Sequence, residues 1–458
     1  MKEKEDRTAL FETMPVPEAV AKLAVPTILS SLVMVLYNMA DTFFVGMLGD
    51  AVQNAAVTLV APVMLAFNAV NNLFGVGSSS MMSRALGRKD YDMVARSSVF
   101  GFWCSIISGI LFSLLCTIFL SPLLTLLGAD EVTRDATIGY MFWTVNMGAM
   151  PSILNVVMAY LVRSEGAAMH ASIGTMSGCI LNMILDPIFI LPWGFDMGAA
   201  GAGLATFISN CVACLYFILL ICIKRGRTYV CMDPRKLSFD GRIVKGVCTV
   251  GIPASIQNLL NVAGMTILNN FASGYGASVV AAVGIAQKIN QVPYYISSGL
   301  SQGIMPLVSY NFSSGNADRM KKTVTFSGKA AVGLLTVIGV IFFIFPDTFI
   351  SLFMKDEAVI GYGAQFLRGF STALPFHCID FLAVAVFQAT GMGQYSFAFA
   401  VLRKIILEIP AMIILNMIFP LYGLAYAQLV AEVVLAAAAI IMLSRIFRRV
   451  EKFGAVSE

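Results

Sequence analysis

Twelve windows of about 20 mainly apolar residues follow one another along this chain, separated by short polar or glycine-containing turns. A helix needs about 20 such residues to cross the hydrocarbon layer of a bilayer, and it satisfies its own backbone groups there. The sequence therefore predicts an all-α integral membrane protein with twelve transmembrane helices. The predicted spans are 19–46, 53–80, 92–121, 135–162, 169–192, 199–223, 243–272, 279–309, 320–345, 358–388, 394–418 and 421–445.

Composition supports a membrane setting for the whole chain. Hydrophobic residues make up 58% of it and charged residues only 12%. A soluble domain needs polar residues on its outer helix faces, whereas helices that are apolar all round belong in lipid. Residues 1–18 carry many charges and no apolar core, so we expect no cleavable signal peptide. The only close cysteine pair, Cys211 and Cys214, lies in an apolar span and is interpreted as packing.

The basic residues predict the orientation. Most of the 30 Lys and Arg residues fall in alternate loops, on the same side as the N-terminus. The opposite loops hold only Arg134 and Lys355. Because positive charge is retained on the cytoplasmic side, both termini are predicted to be cytoplasmic. Four basic residues belong to no loop, and these are Lys288, Arg368, Arg403 and Lys404.

The second half of the chain repeats the first at a separation of about 225 residues, as expected of transporters built from two similar halves. Each half has six spans, an even number, so both halves have the same orientation. We predict an N-lobe over 1–223, a cytoplasmic linker over 224–245 and a C-lobe over 246–458, forming two pseudo-symmetric six-helix bundles. Matched positions include Pro26 and Pro253, Pro151 and Pro375, and Pro187 and Pro410.

A membrane protein built from two repeated six-span halves is predicted to be a transporter with alternating access, not an enzyme. No GxxxxGK[ST] motif occurs in the sequence, so the chain has no nucleotide site of that type and an ion gradient remains as the energy source. One charge crossing 100 mV provides about 2.3 kcal/mol, and a tenfold uphill step costs about 1.4 kcal/mol. One coupled cation is therefore sufficient.

Asp41 and Asp186 lie inside apolar spans, where an Asp costs roughly 2.5 to 3.5 kcal/mol. Tyr37 and Asn38 share a helical turn with Asp41, and Asn182 precedes Asp186 by four residues. Oxygen ligands of this kind suit Na⁺, while a desolvated carboxylate can carry H⁺, and the sequence does not choose between them. The alternative is a structural role, in which a basic neighbour or hydrogen bond neutralises each acid.

The second half offers acids together with basic partners. Asp380 and His377 lie in the tenth span, Glu408 in the eleventh and Glu432 in the twelfth. Lys288, in the eighth span, could form an ion pair with Asp380 or Glu408, or these groups could bind substrate or protons. His377 could titrate near neutrality, although a lone His in a helix is more often packed and hydrogen-bonded.

Three segments resemble signatures of the multidrug and toxic compound extrusion (MATE) family, in its MepA-like and DinF-like bacterial branch. They are 37–46 (YNMADTFFVG), 163–166 (RSEG) and 182–189 (NMILDPIF). The resemblance implies a V-shaped pair of six-helix bundles in the bacterial inner membrane. It also implies export of cationic and amphipathic compounds in exchange for H⁺ or Na⁺.

The resemblance further implies which residues form the sites. The cation-coupling residues, which would also hold Na⁺, match Asp41, Asn182, Asp186 and Thr206, and Tyr140 and Asn155 resemble polar residues around that site. With Tyr37, Asn38, Asp380 and Lys288, these two are candidates for the substrate cavity. Asp380 is similar to a tenth-helix acid of other branches, but their acidic seventh-helix partner is replaced here by Gln257-Asn258.

The prediction is a cation-coupled multidrug exporter without a cofactor other than its coupling ion. Its expected partners are small organic cations and the lipid bilayer, with no nucleic acid, and a monomer is expected because the repeat already supplies two halves. One alternative is a flippase for a lipid-linked precursor, although the intramembrane charges of the first half are acidic. Another is a membrane receptor or scaffold, which the lack of a large extramembrane segment disfavours.

Overall fold

The computed structural model describes residues 8–453, and within them it is helical with no strand. The predicted cytoplasmic ends, residues 1–7 and 454–458, lie outside the described residues. The helices are α1 Val16–Met47, α2 Ala51–Gly87, α3 Tyr91–Ile118, α4 134–164, α5 Ala168–Ile190, α6 Gly198–Ile223, α7 Gly241–Ser273, α8 Ala277–Ser313, α9 Ala317–Ile344, α10 Glu357–Ala389, α11 393–418 and α12 Gly423–Phe453.

Each predicted span coincides with one of these helices, which confirms the predicted fold class. Among the described residues, nine helices are long and apolar enough to cross a membrane by themselves. A tenth span is α4, whose parts Arg134–Met147 and Ala149–Ser164 are bent by 48°. α11 is interrupted by a π-helical segment, Leu402–Glu408, and α8 carries several polar residues, so neither is among the ten.

The two halves repeat their helix ends as well as their helices. Asp90 caps the N-terminus of α3, and its side chain accepts a hydrogen bond from the Met93 amide at 3.1 Å. A short helix, Leu120–Leu127, follows α3. α9 begins behind Asn316, which accepts from the Arg319 amide at 3.0 Å, and Pro346–Ser351 follows it. Side chains of this kind satisfy amides that the first helical turn leaves unpaired. The same cap therefore marks the equivalent helix in each half.

The chain forms two compact units. Among the described residues, the first comprises 8–13 and Leu29–Ser255, and the second comprises Met14–Ile28 and 256–453. These units differ from the predicted lobes at two segments, because 14–28 packs with the second unit and 224–255 with the first. In the second unit, Gly303 lets α8 approach α1 so closely that an added Cβ would lie 2.7 Å from the Cα of Ala24.

One central helix organises each unit. In the first unit the second part of α4, Ala149–Ser164, packs against α2, α3, α5 and α6. In the second unit α10 packs against α8, α9 and α12. Since α4 and α10 are equivalent in the internal repeat, the two units share one plan. Small residues allow these close approaches, as is common between membrane helices.

The predicted linker is docked on the first unit. Residues 224–240 hold one 3₁₀ turn, Pro234–Lys236, before α7 begins at Gly241. Trp103 donates its indole N–H to the Met232 carbonyl at 3.1 Å, and the Ser98 hydroxyl donates to the Cys231 carbonyl at 3.1 Å. The linker is therefore held by specific hydrogen bonds over its middle part.

Candidate cation site and charged cluster

The first unit contains a polar cluster centred on α5. Asp186 is completely buried and Asn182, one turn before it, is 2% exposed. α5 continues through Pro187 to Ile190. Because proline has no amide hydrogen, the carbonyl of Met183 receives no hydrogen bond from position 187 and is available as a further oxygen ligand. A buried carboxylate, an amide and a loosened carbonyl thus share one part of α5.

The Asn182 amide connects Asp186 to α6. In the orientation that satisfies both of its ends, its nitrogen donates to Asp186 Oδ2 at 2.8 Å. Its oxygen then accepts from the Thr206 hydroxyl at 3.2 Å and from the Thr206 amide at 3.1 Å. This orientation is assigned from the hydrogen bonds. Asp186 is therefore held by a neutral donor.

α1 adds Tyr37 and Asp41 to the same cluster. The Tyr37 side chain hydrogen-bonds to Thr206, and the carboxyl groups of Asp41 and Asp186 are near enough to interact electrostatically. Tyr140 of α4, which is 7% exposed, faces both acids. Within residues 8–453 neither acid forms an ion pair with a lysine or arginine.

The geometry of this cluster favours uptake of a cation or proton. Two carboxylates that repel each other away from water have a high free energy when both are charged. A bound proton or Na⁺ would remove that repulsion, and carboxylate, amide and hydroxyl oxygens are ligands that hard cations prefer. The structure thus brings together all four residues predicted as the coupling site, which are Asp41, Asn182, Asp186 and Thr206.

Among the described residues, the side chains of the remaining predicted residues of the first unit, Asn38 and Asn155, form no hydrogen bond with this cluster. Asn38 is exposed. Asn155 of α4 donates to the side-chain oxygen of Asn210 on α6 at 3.1 Å, and its own oxygen has no partner among the described residues. Asn210 was not among the predicted residues, although it follows Thr206 by one helical turn and this spacing is the signal that could have identified it.

The second unit holds a buried ionic cluster that the sequence predicted only in part. Arg403 Nη2 lies 2.7 Å from Glu432 Oε1, and Arg403 Nη1 lies 3.5 Å from Asp380 Oδ2. His377 Nδ1 lies 2.9 Å from the same Glu432 oxygen. Close by, Lys404 forms an ion pair with Glu408 at 2.7 Å. The acids of this cluster are therefore paired with basic side chains, unlike Asp41 and Asp186.

The hypothesis that Lys288 pairs with Asp380 or Glu408 is wrong. Lys288 is exposed, and the partners of these acids are Arg403 and Lys404. The physical reason is the π-helical segment Leu402–Glu408, in which Arg403, Lys404 and Glu408 are all buried. A π-helix winds more widely than an α-helix, so it changes which side chains point inward.

Two repeated six-helix halves, with charged residues buried in both, define a membrane transporter and not an enzyme. Comparison with known proteins agrees, because residues 26–188 and 253–414 each match the MatE family model, one match in each half. The chain belongs to this family.

Curated relatives and solved structures are similar over nearly the full length. The multidrug export protein MepA of Staphylococcus saprophyticus is 32% identical over 96% of both chains. MepA of Staphylococcus aureus is also 32% identical, again over 96% of each chain. A crystal structure of MATE in complex with MaL6 has a TM-score of 0.91 at 25% identity and covers 97% of this chain and 99% of that one. The fold predicted from the sequence is therefore confirmed.

Proposed function

We propose that this MATE transporter exports cationic and amphipathic small molecules in exchange for H⁺ or Na⁺ entering the cell. The observation that carries the proposal is the pair Asp41 and Asp186, which lie together without a basic partner in the part of the chain that the structure describes. The similarity to relatives named multidrug export proteins supports the substrate class. The same relatives are bacterial, which supports a site in the bacterial inner (cytoplasmic) membrane.

Coupling would operate through the hydrogen bonds of the first unit. When both acids are charged, Asp186 needs the Asn182 amide as donor, and Asn182 in turn contacts Thr206. A proton or Na⁺ on the carboxylates would compete with that donor. The resulting change in the contacts between α1, α5 and α6 lowers the affinity for the substrate, so entry of the cation drives release of the drug.

The substrate would contact polar and aromatic groups around the coupling site. We propose this role for Tyr37 and Tyr140, because aromatic faces attract organic cations, and for Asn38 and Asn155, because their amides can hydrogen-bond with polar groups of a substrate. Asp380 is held by Arg403 and belongs instead to the charged cluster of the second unit. Lys288 is exposed on α8, and where it lines the cavity its positive charge would oppose the binding of organic cations. We further propose a monomer with both termini in the cytoplasm.

The test is transport by the purified full chain in liposomes with an imposed H⁺ or Na⁺ gradient and a fluorescent organic cation. Directional dye movement that depends on one gradient is expected, and it identifies the coupling ion. Asp41→Asn should abolish this movement. The matched control is Asp196→Asn, an exposed loop position with a φ of 53° that Asn also tolerates.

Two results would contradict the proposal. Equal dye movement by Asp41→Asn and the unaltered protein would remove the coupling role of the first unit. Movement of a lipid-linked precursor without any gradient-dependent dye movement would favour the alternative function, a flippase.

A further inference from the structure

The buried ionic cluster of the second unit has no part in the coupling scheme above. Four of its side chains, from three helices, are almost inaccessible: His377 and Asp380 are each 1% exposed, Arg403 is 3% exposed and Glu432 is fully buried. Burial of this many charges is costly unless they are paired and hydrogen-bonded. The pairing in this cluster is incomplete, because Asp380 Oδ1, Glu432 Oε2 and His377 Nε2 have no hydrogen-bond partner among the described residues.

One ring nitrogen lies between a donor and an acceptor. His377 Nδ1 is 3.1 Å from Arg403 Nη2 and 2.9 Å from Glu432 Oε1. A guanidinium group only donates and an ionised carboxylate only accepts. A neutral ring with its hydrogen on Nε2 therefore accepts from Arg403, whereas a protonated ring donates from Nδ1 to Glu432. Both protonation states of His377 have a partner already in position.

The charge of the surroundings favours one additional proton. With a neutral ring, the three carboxylates and two basic side chains of the cluster leave one net negative charge, and one proton makes the cluster neutral. Neighbouring α7 and α8 contribute polar but uncharged groups. The charged or titratable side chains around the ring are Asp380 on α10, Arg403 and Lys404 with its partner Glu408 on α11, Glu432 on α12, and Tyr294 on α8, whose ring centroid lies 5.6 Å from that of His377. Asn261 of α7 donates to the Tyr294 hydroxyl at 3.3 Å.

We propose that His377 is a proton-binding site of the second unit, in which protonation of Nδ1 transfers Arg403 from the His377 ring towards Asp380. The proton comes from water, an Nδ1–H bond forms, and no other covalent bond changes. The imidazolium donates to Glu432 and can no longer accept a hydrogen bond from Arg403. The guanidinium group of Arg403 then hydrogen-bonds to Asp380, whose Oδ2 already lies 3.5 Å from Nη1. α11 thereby changes its contacts with α10 and α12.

This site differs in kind from the one in the first unit. Arg403 and Lys404 already pair with the carboxylates and neutralise most of the negative charge, so a single proton is enough to complete the cluster. It does not depend on the proposed export function, because protonation can be measured without transport.

The chain has only two histidines, His170 and His377, which permits a direct measurement. In full-length His170→Gln labelled with ¹⁵N-histidine and placed in lipid bilayers, every imidazole signal belongs to His377. In spectra recorded from about pH 4 to about pH 9, a range that brackets the ordinary titration of histidine, we expect a neutral ring protonated at Nε2 at the highest pH and an imidazolium with two N–H groups at the lowest. A ring that keeps one protonation state over that range would overturn the proposal.

A pair of variants on α12 tests the partner. In the same background, Glu432→Gln removes the anionic acceptor, and the ratio of imidazolium to neutral ring at about pH 6 is expected to fall about tenfold. Glu451→Gln, an exposed position that pairs with Lys321, should leave the ratio unchanged. An unchanged ratio in Glu432→Gln contradicts the assignment. If that variant does not fold, the measurement on the parent chain still decides the proposal.

Discussion

The Asn182 amide nitrogen lies 2.8 Å from Asp186 Oδ2, so the close donor to this buried acid is a neutral group and not a cation. The same amide accepts from Thr206 on the adjacent helix. A change at Asp186 is therefore passed directly to α6 through a single side chain, which makes the contact between Asn182 and Thr206 the first place to test.

Thr206→Val should impair coupled transport, whereas Thr206→Ser should preserve it. Valine has a similar shape but removes the hydroxyl that Asn182 and Tyr37 contact, and a buried group left without its partner costs about 1 to 3 kcal/mol. We expect gradient-dependent dye movement in liposomes to fall about tenfold in Thr206→Val. Equal loss in Thr206→Ser would show that shape at this position matters and that the hydroxyl does not.

Arg403→Met should destabilise the protein strongly. The substitution leaves Glu432 and Asp380 buried without their positive partner, and breaking a buried ion pair in this way costs about 3 to 5 kcal/mol. The measurement is thermal unfolding of the purified protein in detergent. The double variant Arg403→Met with Glu432→Leu should recover part of the lost stability, because it removes the uncompensated charge as well.

An exposed ion pair supplies the control for that experiment. Arg242 lies 2.9 Å from Asp240 and is largely solvated, so Arg242→Met should change the unfolding temperature little. A comparable loss of stability in Arg403→Met and Arg242→Met would mean that the buried cluster contributes nothing particular to the fold.

Gly174→Ala should weaken the packing of α5 on α6. An added Cβ would lie 2.7 Å from Cε1 of Phe217, whose ring is fully buried and cannot move away. Overpacking of this kind costs typically 1 to 3 kcal/mol. The matched control is Gly284→Ala on α8, where a Cβ meets nothing within 4 Å. Unfolding temperatures that fall equally in both variants would contradict this account.

Glu165→Gln should loosen the linker. Glu165 is 2% exposed, and its carboxylate accepts from the Thr228 hydroxyl at 2.8 Å and from the Tyr229 amide at 2.6 Å. Hydrogen bonds to an ionised acceptor are about twice as strong as neutral ones. The neutral side-chain amide introduced by the substitution therefore holds Thr228 and Tyr229 less firmly than the carboxylate does. We expect trypsin to cleave after the exposed Arg225 or Arg227 faster in this variant.

The same trypsin experiment, done on membrane vesicles of known sidedness, also tests the orientation of the chain in the membrane. Cleavage from the cytoplasmic face alone would agree with the predicted cytoplasmic linker, and cleavage from the opposite face alone would refute it. Glu131→Gln, in the loop before α4, serves as the control because Glu131 is exposed and remote from the linker in sequence.

The helical spans could be predicted from the sequence because hydropathy alone decides which segments enter the bilayer. The four residues of the first-unit cluster could be identified because a lone acid in an apolar helix is conspicuous and its family signature is specific. The pairing in the second unit could not be predicted. Arg403 and Lys404 point inward through a local π-helical segment, and no periodicity in the sequence reveals such a segment.

The sequence also could not predict which chain segments belong to which compact unit. Residues 14–28 precede the first-unit helices in the chain, and only tertiary contacts such as that between Ala24 and Gly303 assign them to the second unit. Hydropathy and the internal repeat carry no information about such contacts.

This division has a consequence for anyone who wishes to express the protein as two fragments. A cut anywhere in the linker between 223 and 246 separates at least residues 246–255 from the rest of the first unit, and it separates residues 14–28 from the rest of the second. Each fragment then lacks a segment of its own compact unit, so we expect the two fragments to need co-expression.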